Sequence, residues 1–298
     1  MAITIDVIRT RVFAATRNGG NRCPVIPSAD ALTAAQMQGL AKRFGLDTVF
    51  VLSPRSSASD IFLRYFVPDH EMGISGHATI AAITVGLRNQ TLTGDCFRID
   101  TLSGIFEATA TRSHGDIVVR LDQNRPAFGP IISPTEVLRA LRIRPRDLLA
   151  AGWPIQSVSV SRAKLVVPLT NYRVLDGLRP DFDALWRCCE RFDVTGFYPF
   201  TPRTNKRGAD LEARQYPLRA GFPEDAATGV AAAALGAYVT MHRDACRRGG
   251  QRFRIAQGYA MGAPSLIEAL TECTGGEITR TAIRGVAQLA RPERILLV

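Results

Sequence analysis

The first thirteen residues, MAITIDVIRTRVF, alternate apolar and polar side chains with the period of a half-buried strand. The period then lengthens. Met37, Leu40, Ala41 and Phe44 recur at helical spacing, and Thr33 with Gln36 forms the T-x-x-Q relation of a capping box, so a helix is predicted to start there. Thr48 to Leu52 reads as a strand and Ile61 to Val67 as another, after which Gly76 opens an alanine-rich apolar run with the character of a buried helix.

The same order returns in the second half. Phe44-Gly-Leu-Asp-Thr-Val-Phe-Val-Leu-Ser-Pro54-Arg55 has its counterpart in Phe192-Asp-Val-Thr-Gly-Phe-Tyr-Pro-Phe-Thr-Pro202-Arg203. Each is followed by a polar turn, a strand-like run (Ile61 to Val67; Leu211 to Leu218) and a glycine-led helix, Gly76-His77-Ala-Thr-Ile-Ala-Ala against Gly229-Val230-Ala-Ala-Ala-Ala-Leu. A five-residue insertion separates the two spacings, 22 residues from Pro54 to Gly76 and 27 from Pro202 to Gly229. Pro126, Pro130 and Pro134 interrupt the pattern midway and read as a linker. The expectation is two similar α/β units, residues 1–127 and 128–290, with a last strand at 291–298 returning to the first. Each would wrap its strands about one Ala-rich helix, with a cleft between the units.

Length agrees, since 298 residues is about twice the usual domain of about 100–150. The net charge of +10 raises the question of a polyanion partner, but only Lys42, Lys164 and Lys206 are lysines among 37 basic residues. The arginines are spread along the whole chain, and the densest knots, Arg139 to Arg146 and Arg243 to Arg252, lack the interleaved aromatics of a nucleic-acid module, so no nucleic-acid partner is expected. No run reaches the roughly 18 apolar residues of a membrane span, and the N-terminus lacks an apolar signal core; a soluble, cytoplasmic protein without membrane association is expected. Six cysteines without ligand spacing argue against a disulfide framework or a structural zinc.

Candidate chemistry gathers at the two glycine-led helix starts. A helix N-terminus carries unpaired N–H groups and partial positive charge, so Ser75-Gly76-His77 and Thr228-Gly229-Val230 are each suited to a carboxylate, and glycine lets a ligand approach the backbone. Acid–base groups lie nearby: Asp225, four residues before Gly229; Asp47, just ahead of a hydrophobic strand; and His77, whose imidazole can donate or accept a proton near pH 7. His70, His114 and His242 sit in polar or turn-like surroundings and read as surface residues.

The chain resembles the PhzF-like (phenazine biosynthesis-like) family, which shares the diaminopimelate epimerase fold of two pseudo-symmetric α/β lobes, each a curved sheet or barrel around a central helix. The resemblance runs through Ile5-Asp6, Gly20-Asn21, Leu46-Asp47-Thr48-Val49-Phe50-Val51, Tyr65-Phe66-Val67-Pro68 with Glu71, Gly76-His77-Ala78-Thr79, Thr101-Leu-Ser-Gly104, Glu224-Asp225-Ala-Ala-Thr228-Gly229, Gln257-Gly258, Met261-Gly262 and Pro264-Ser265.

It implies a proton-shift isomerase acting on a small unsaturated amino or carboxylic acid, in specialised-metabolite (antibiotic) biosynthesis, as a homodimer, with neither metal nor organic cofactor. Asp47 would take the place of the family's acid–base glutamate one methylene short, and the family's histidine and aspartate carry over to His77 and Asp225, which would position the substrate and assist proton transfer as catalytic residues. Ser75, Gly76, Thr228, Gly229 and Val230 would bind a small anionic or zwitterionic substrate. Departures are Val230 for the family's serine, Arg22 for its proline after Gly-Asn, and Ala256 and Ala263 where a charge pair is usual. Two alternatives stand beside this reading: an amino-acid racemase or epimerase of the same fold, and a noncatalytic metabolite-binding member. The racemases place cysteines where this chain has Ser75 and Asp225, which disfavours a two-thiol mechanism.

Overall fold

The computed structural model describes residues 3–150 and 152–297. Of the terminal strands read from sequence, Met1, Ala2 and Val298 lie outside the described residues, as does the Arg248 side chain of the second arginine knot. The chain divides into two compact units, 1–122 with 284–298, and 123–283.

In the first unit β1 (Ile3–Val12), β2 (Asn21–Ile26), α1 (Ala34–Phe44), β3 (Thr48–Leu52) and β4 (Ile61–Phe66) are followed by the short β5 (Glu71–Met72), α2 (Gly76–Arg88), β6 (Cys96–Thr101), β7 (Gly104–Ser113) and β8 (Asp116–Gln123). Helix α1 starts where its capping box predicts: Gln36 N–H donates to Thr33 Oγ1 and Thr33 N–H to Gln36 Oε1. Gly45, in the left-handed conformation, ends it. Strand β2 pairs parallel with β3, β3 antiparallel with β4, β4 parallel with β6, and β6 antiparallel with β7. Met37, Leu40 and Ala41 of α1 join Ile26, Phe50 and Phe66 in one buried cluster. Helix α2 packs against β1, β2 and β3, and every residue from Gly76 to Leu87 is buried. A helix buried all round must be apolar all round, and its small alanines, glycines and threonines let strands approach closely.

The second unit runs β9 (Ala127–Ile131), α3 (Pro134–Leu141), β10 (Gln156–Ser159), β11 (Lys164–Pro168), α4 (Tyr172–Asp176), α5 (Phe182–Arg191), β12 (Gly196–Thr201), β13 (Leu211–Ala213), β14 (Tyr216–Pro217), α6 (Gly229–His242), β15 (Gln251–Gln257), β16 (Ser265–Thr274) and the first part of β17 (Glu277–Leu289). The pairing sense repeats: β11–β12 parallel, β12–β13 antiparallel, β13–β15 parallel, β15–β16 antiparallel. Helix α6 is buried from Gly229 to Thr240 and packs on β10, β11, β15 and β16. The end of β17 and the last strand, β18 (Glu293–Leu297), belong to the first unit, where both pair antiparallel with β1.

Four sequence readings change. The proline-rich stretch is no loose linker, because β9 lies between Pro126 and Pro134 and Pro134 occupies the first turn of α3, where a missing N–H costs nothing. The run Leu211 to Leu218 is broken at Arg214–Gln215. It lies opposite Pro199, whose carbonyl accepts from Arg214 N–H but which has no N–H to return. Cys246, just past α6, and Cys273, near the end of β16, form a disulfide with Cα atoms 5.4 Å apart, a proximity created by the fold across 27 residues of sequence. His242 is half-buried rather than superficial, its ring 4.4 Å from that of Tyr238 and its Nε2 2.9 Å from Gln156 Oε1. Among the described residues no helix is long and apolar enough to cross a membrane.

Candidate active site

In the first unit the helix start and the strand start converge. Ser75, the N-cap of α2, makes no side-chain capping bond to the backbone N–H groups of its helix. Its hydroxyl instead donates to Asp47 Oδ2 at 2.7 Å, across 28 residues of sequence. His77 Nε2 lies 3.4 Å from the same carboxylate oxygen, while its Nδ1 faces Ser75 Oγ at 3.4 Å and Asn21 Nδ2 at 3.5 Å. Asp47 is 6% and His77 3% exposed. Beneath them Tyr65 OH meets Thr79 Oγ1 at 2.7 Å, and Thr79 Oγ1 donates to the Ser75 carbonyl at 2.7 Å. Burial pushes the Tyr65 phenol far above its ordinary range, so it stays a neutral hydrogen-bonding group.

The second unit builds a related cluster at the start of α6. The N-cap Thr228 likewise leaves its helix uncapped by its side chain, and its hydroxyl donates to Asp225 Oδ2. Gln257 ties the turn together: its Nε2 donates to the Asp225 carbonyl at 2.7 Å, and its Oε1 accepts from Thr228 N–H at 3.3 Å and from Tyr198 OH at 2.9 Å. Burial raises the Tyr198 phenol as it does that of Tyr65. Gly229 and Val230 are both buried in the first turn of α6. Lys164, also buried, has its ammonium pushed down to about 7, first by burial and next by Arg162, with Asp225 acting the other way.

The structure thus brings Asp47, Ser75, Gly76 and His77 together in one unit, and Asp225, Thr228, Gly229 and Val230 in the other. Two positioning residues, Asn21 and Gln257, were visible in sequence only as neighbours of glycines. Those glycines explain them. Gly20 (φ +84) and Gly258 (φ +78) sit where a Cβ would meet backbone oxygen at 2.8 Å from Val12 and 2.3 Å from Ala263, so each turn that presents the adjacent amide requires glycine. In both clusters the N-cap hydroxyl is spent on a carboxylate, which leaves the N–H groups of the first helical turn without a side-chain cap and suited to an anion. Each offers a carboxylate beside those donors, the equipment for moving a proton on a bound acid.

Comparison with known proteins agrees with this architecture. The fold is that of the diaminopimelate epimerase-like proteins: a protein described as a probable proline racemase, from Agrobacterium radiobacter K84, 14% identical, matches 99% of this chain and 93% of its own with a TM-score of 0.69. A phenazine biosynthesis protein of the PhzF family from Bacillus anthracis, 24% identical, matches 99% of this chain and all of its own at 0.89. The family model for phenazine biosynthesis-like proteins matches residues 10–291, and the chain belongs to that family. It is similar to the uncharacterized isomerase YddE of Escherichia coli K12, 32% identical over 95% of each chain, and to a trans-2,3-dihydro-3-hydroxyanthranilate isomerase of Pseudomonas chlororaphis, 30% identical over 92% of each. Within the family this chain is an isomerase.

Proposed function

We propose that the enzyme shifts a proton, and with it a double bond, on a small unsaturated amino or carboxylic acid. The observation that carries this is the Ser75 hydroxyl, which donates to Asp47 instead of capping α2. One bond fixes the carboxylate's orientation and leaves the N–H groups of Gly76 and His77 to an incoming anion. Asp47 takes a proton from an activated carbon of the substrate, the electron pair moves along the conjugated system to form the new double bond, and the carboxylic acid so formed returns the proton at the distal carbon. Nothing is oxidised or reduced. His77, within 3.4 Å of the same oxygen, orients substrate and assists the transfer. Asp225, Thr228, Gly229 and Val230 hold the substrate's polar groups.

Aspartate sits one methylene back from the family's glutamate, and a misplacement of about 1 Å can cost about a hundredfold in rate. Together with Val230 and Arg22, this favours a substrate other than that named for the Pseudomonas relative. As a homodimer in the cytoplasm, serving specialised-metabolite biosynthesis, the enzyme would keep the Cys246–Cys273 bond only if burial shields it from cellular thiols. The racemase alternative draws no support from Ser75, whose hydroxyl is committed to Asp47.

The test is a panel of conjugated amino and carboxylic acids, trans-2,3-dihydro-3-hydroxyanthranilate among them, incubated in deuterated water and followed by proton NMR. The reading predicts an isomerised product carrying deuterium at carbon. Binding of panel members without exchange at any carbon would make the protein a metabolite binder.

A further inference from the structure

A concave site distinct from the Asp47 cluster lies on the first unit, within the sheet β2–β1–β17. On β1, Arg9 and Arg11 project to the same face, as strand alternation requires. Arg11 stands directly opposite Arg22 of β2 on one side and Gln288 of β17 on the other, and Arg9 opposite Pro24. Opposed Cβ atoms on neighbouring strands are about 4.5–5.5 Å apart, and like charges placed so destabilise a sheet. The turn after β1 adds Arg17, and these residues with Leu46 wall a cavity of about 590 Å³. That volume is in the range of small-molecule pockets.

Four guanidinium groups line this basin, and no aspartate or glutamate is among its lining residues. Arg9 alone has a carboxylate partner, Glu293, at 2.6 Å. Arg11 commits Nη1 to the carbonyls of Asn18 and Gly19, at 3.1 and 3.5 Å, which steadies its fork without neutralising it. The side chains of Arg17 and Arg22 make no hydrogen bond or ion pair among the described residues. Elsewhere several arginines answer carboxylates, among them Arg55 with Asp100, Arg64 with Glu71 and Arg214 with Glu224. Here, by contrast, a row of like charges is set into one concavity with no acidic residue in its lining.

We infer that this basin binds a small polyanion, a molecule bearing at least two anionic oxygen groups a few ångströms apart, gripped by the forks of Arg11, Arg22 and Arg17 with the Gln288 amide beside them. Guanidinium forks match phosphate and carboxylate alike, so the chemistry is that of a pyrophosphate-bearing metabolite or of a di- or tricarboxylate. The site is separate from the Asp47 cluster. Asn21 is buried toward His77, whereas its neighbour Arg22 is exposed on the other face of β2. Leu46, the residue before Asp47, forms part of the basin wall.

The experiment titrates the full chain with sodium pyrophosphate and with citrate by calorimetry at about 50 mM ionic strength, with chloride at matched ionic strength as control. At least one polyanion is expected to bind with Kd below about 1 mM, and which one binds tells a phosphorylated from a carboxylated ligand. Arg11→Gln and Arg22→Gln are each expected to weaken it at least tenfold, while Arg112→Gln on β7 does not. Without polyanion, Arg22→Gln is expected to melt no lower than the parent, because a repulsion has gone; with it, only the parent should gain in Tm. Absence of binding by both polyanions at 10 mM, or equal affinity in parent and Arg22→Gln, would overturn the inference.

Discussion

The two glycine-led helices solve one problem with different parts. At α2 the N-cap hydroxyl of Ser75 reaches a carboxylate delivered from the start of β3, with an imidazole against the same oxygen. At α6 the hydroxyl of Thr228 reaches a carboxylate three residues earlier in its own loop, and the position matching His77 is Val230. Both turns rest on a buried tyrosine, Tyr65 through Thr79 and Tyr198 through Gln257. The scaffold has been kept in both copies, while, among the described residues, a carboxylate set against an imidazole stands in the first cluster alone. Under the proposed function this difference divides the labour, the first cluster for chemistry and the second for holding.

Substitutions at matched positions can break that comparison. The largest stability contrast falls on the ion pairs behind the two turns. Arg214–Glu224 and Arg64–Glu71 are equivalent bidentate pairs, but the former is 10% exposed at both ends and the latter 20% and 24%. Arg214 also donates to the carbonyls of Leu175, Asp176 and Leu178. Arg214→Met is expected to cost about 3–5 kcal/mol, in the range for leaving a buried charge alone. Arg64→Met, whose surviving partner can be solvated, should cost about 1–2 kcal/mol. Urea denaturation of the two variants measures the contrast, and equal losses would mean the second unit's pair is no more essential than the first's.

A smaller contrast is expected at the glycines. Alanine at Gly258 would place its Cβ 2.3 and 2.6 Å from the carbonyl oxygens of Ala263 and Ala226, and at Gly20 2.8 Å from that of Val12. With the positive φ of both, Gly258→Ala should cost about 2–3 kcal/mol and Gly20→Ala about 1–2 kcal/mol. Melting of both variants checks the order.

The smallest effect is a pH dependence confined to the second unit. Lys164 titrates at about 7 when folded and near its ordinary 10.5 when unfolded. Between those values the unfolded chain binds the extra proton, so stability rises with pH across the window. From pH 7 to about 7.5, below the value of about 8.5 at which unfolded cysteine ionises, the urea midpoint of the parent should climb, and Lys164→Met should remove that slope. A parallel slope in both proteins would place the titration elsewhere.

What could be read from sequence was local or repeated. Thr33 and Gln36 announce α1 because a capping box lies within four residues, and Thr48–Leu52 appears as a strand because its apolar run ends in Ser53-Pro54. The repeat located Asp47, Ser75 and His77, though only the fold brings residues 28 and 30 apart to one carboxylate oxygen. Gln257 escaped because its side chain meets Asp225 and Thr228 about 30 residues away, and no helical or strand period reports such a contact. The Cys246–Cys273 bond escaped for the same reason. The break opposite Pro199 was written in the chain, but in the partner strand.

The division of labour is tested most directly by solvent-deuterium exchange into a turned-over substrate, compared between Asp47→Asn and Asp225→Asn. Asp47→Asn should lose exchange by about 10²–10⁴-fold while still binding substrate, the size expected for removing a general base. Asp225→Asn should retain exchange at saturating substrate, with the loss in KM. Exchange undiminished in Asp47→Asn, or abolished at saturation in Asp225→Asn, would contradict the assignment of the chemistry to the first cluster.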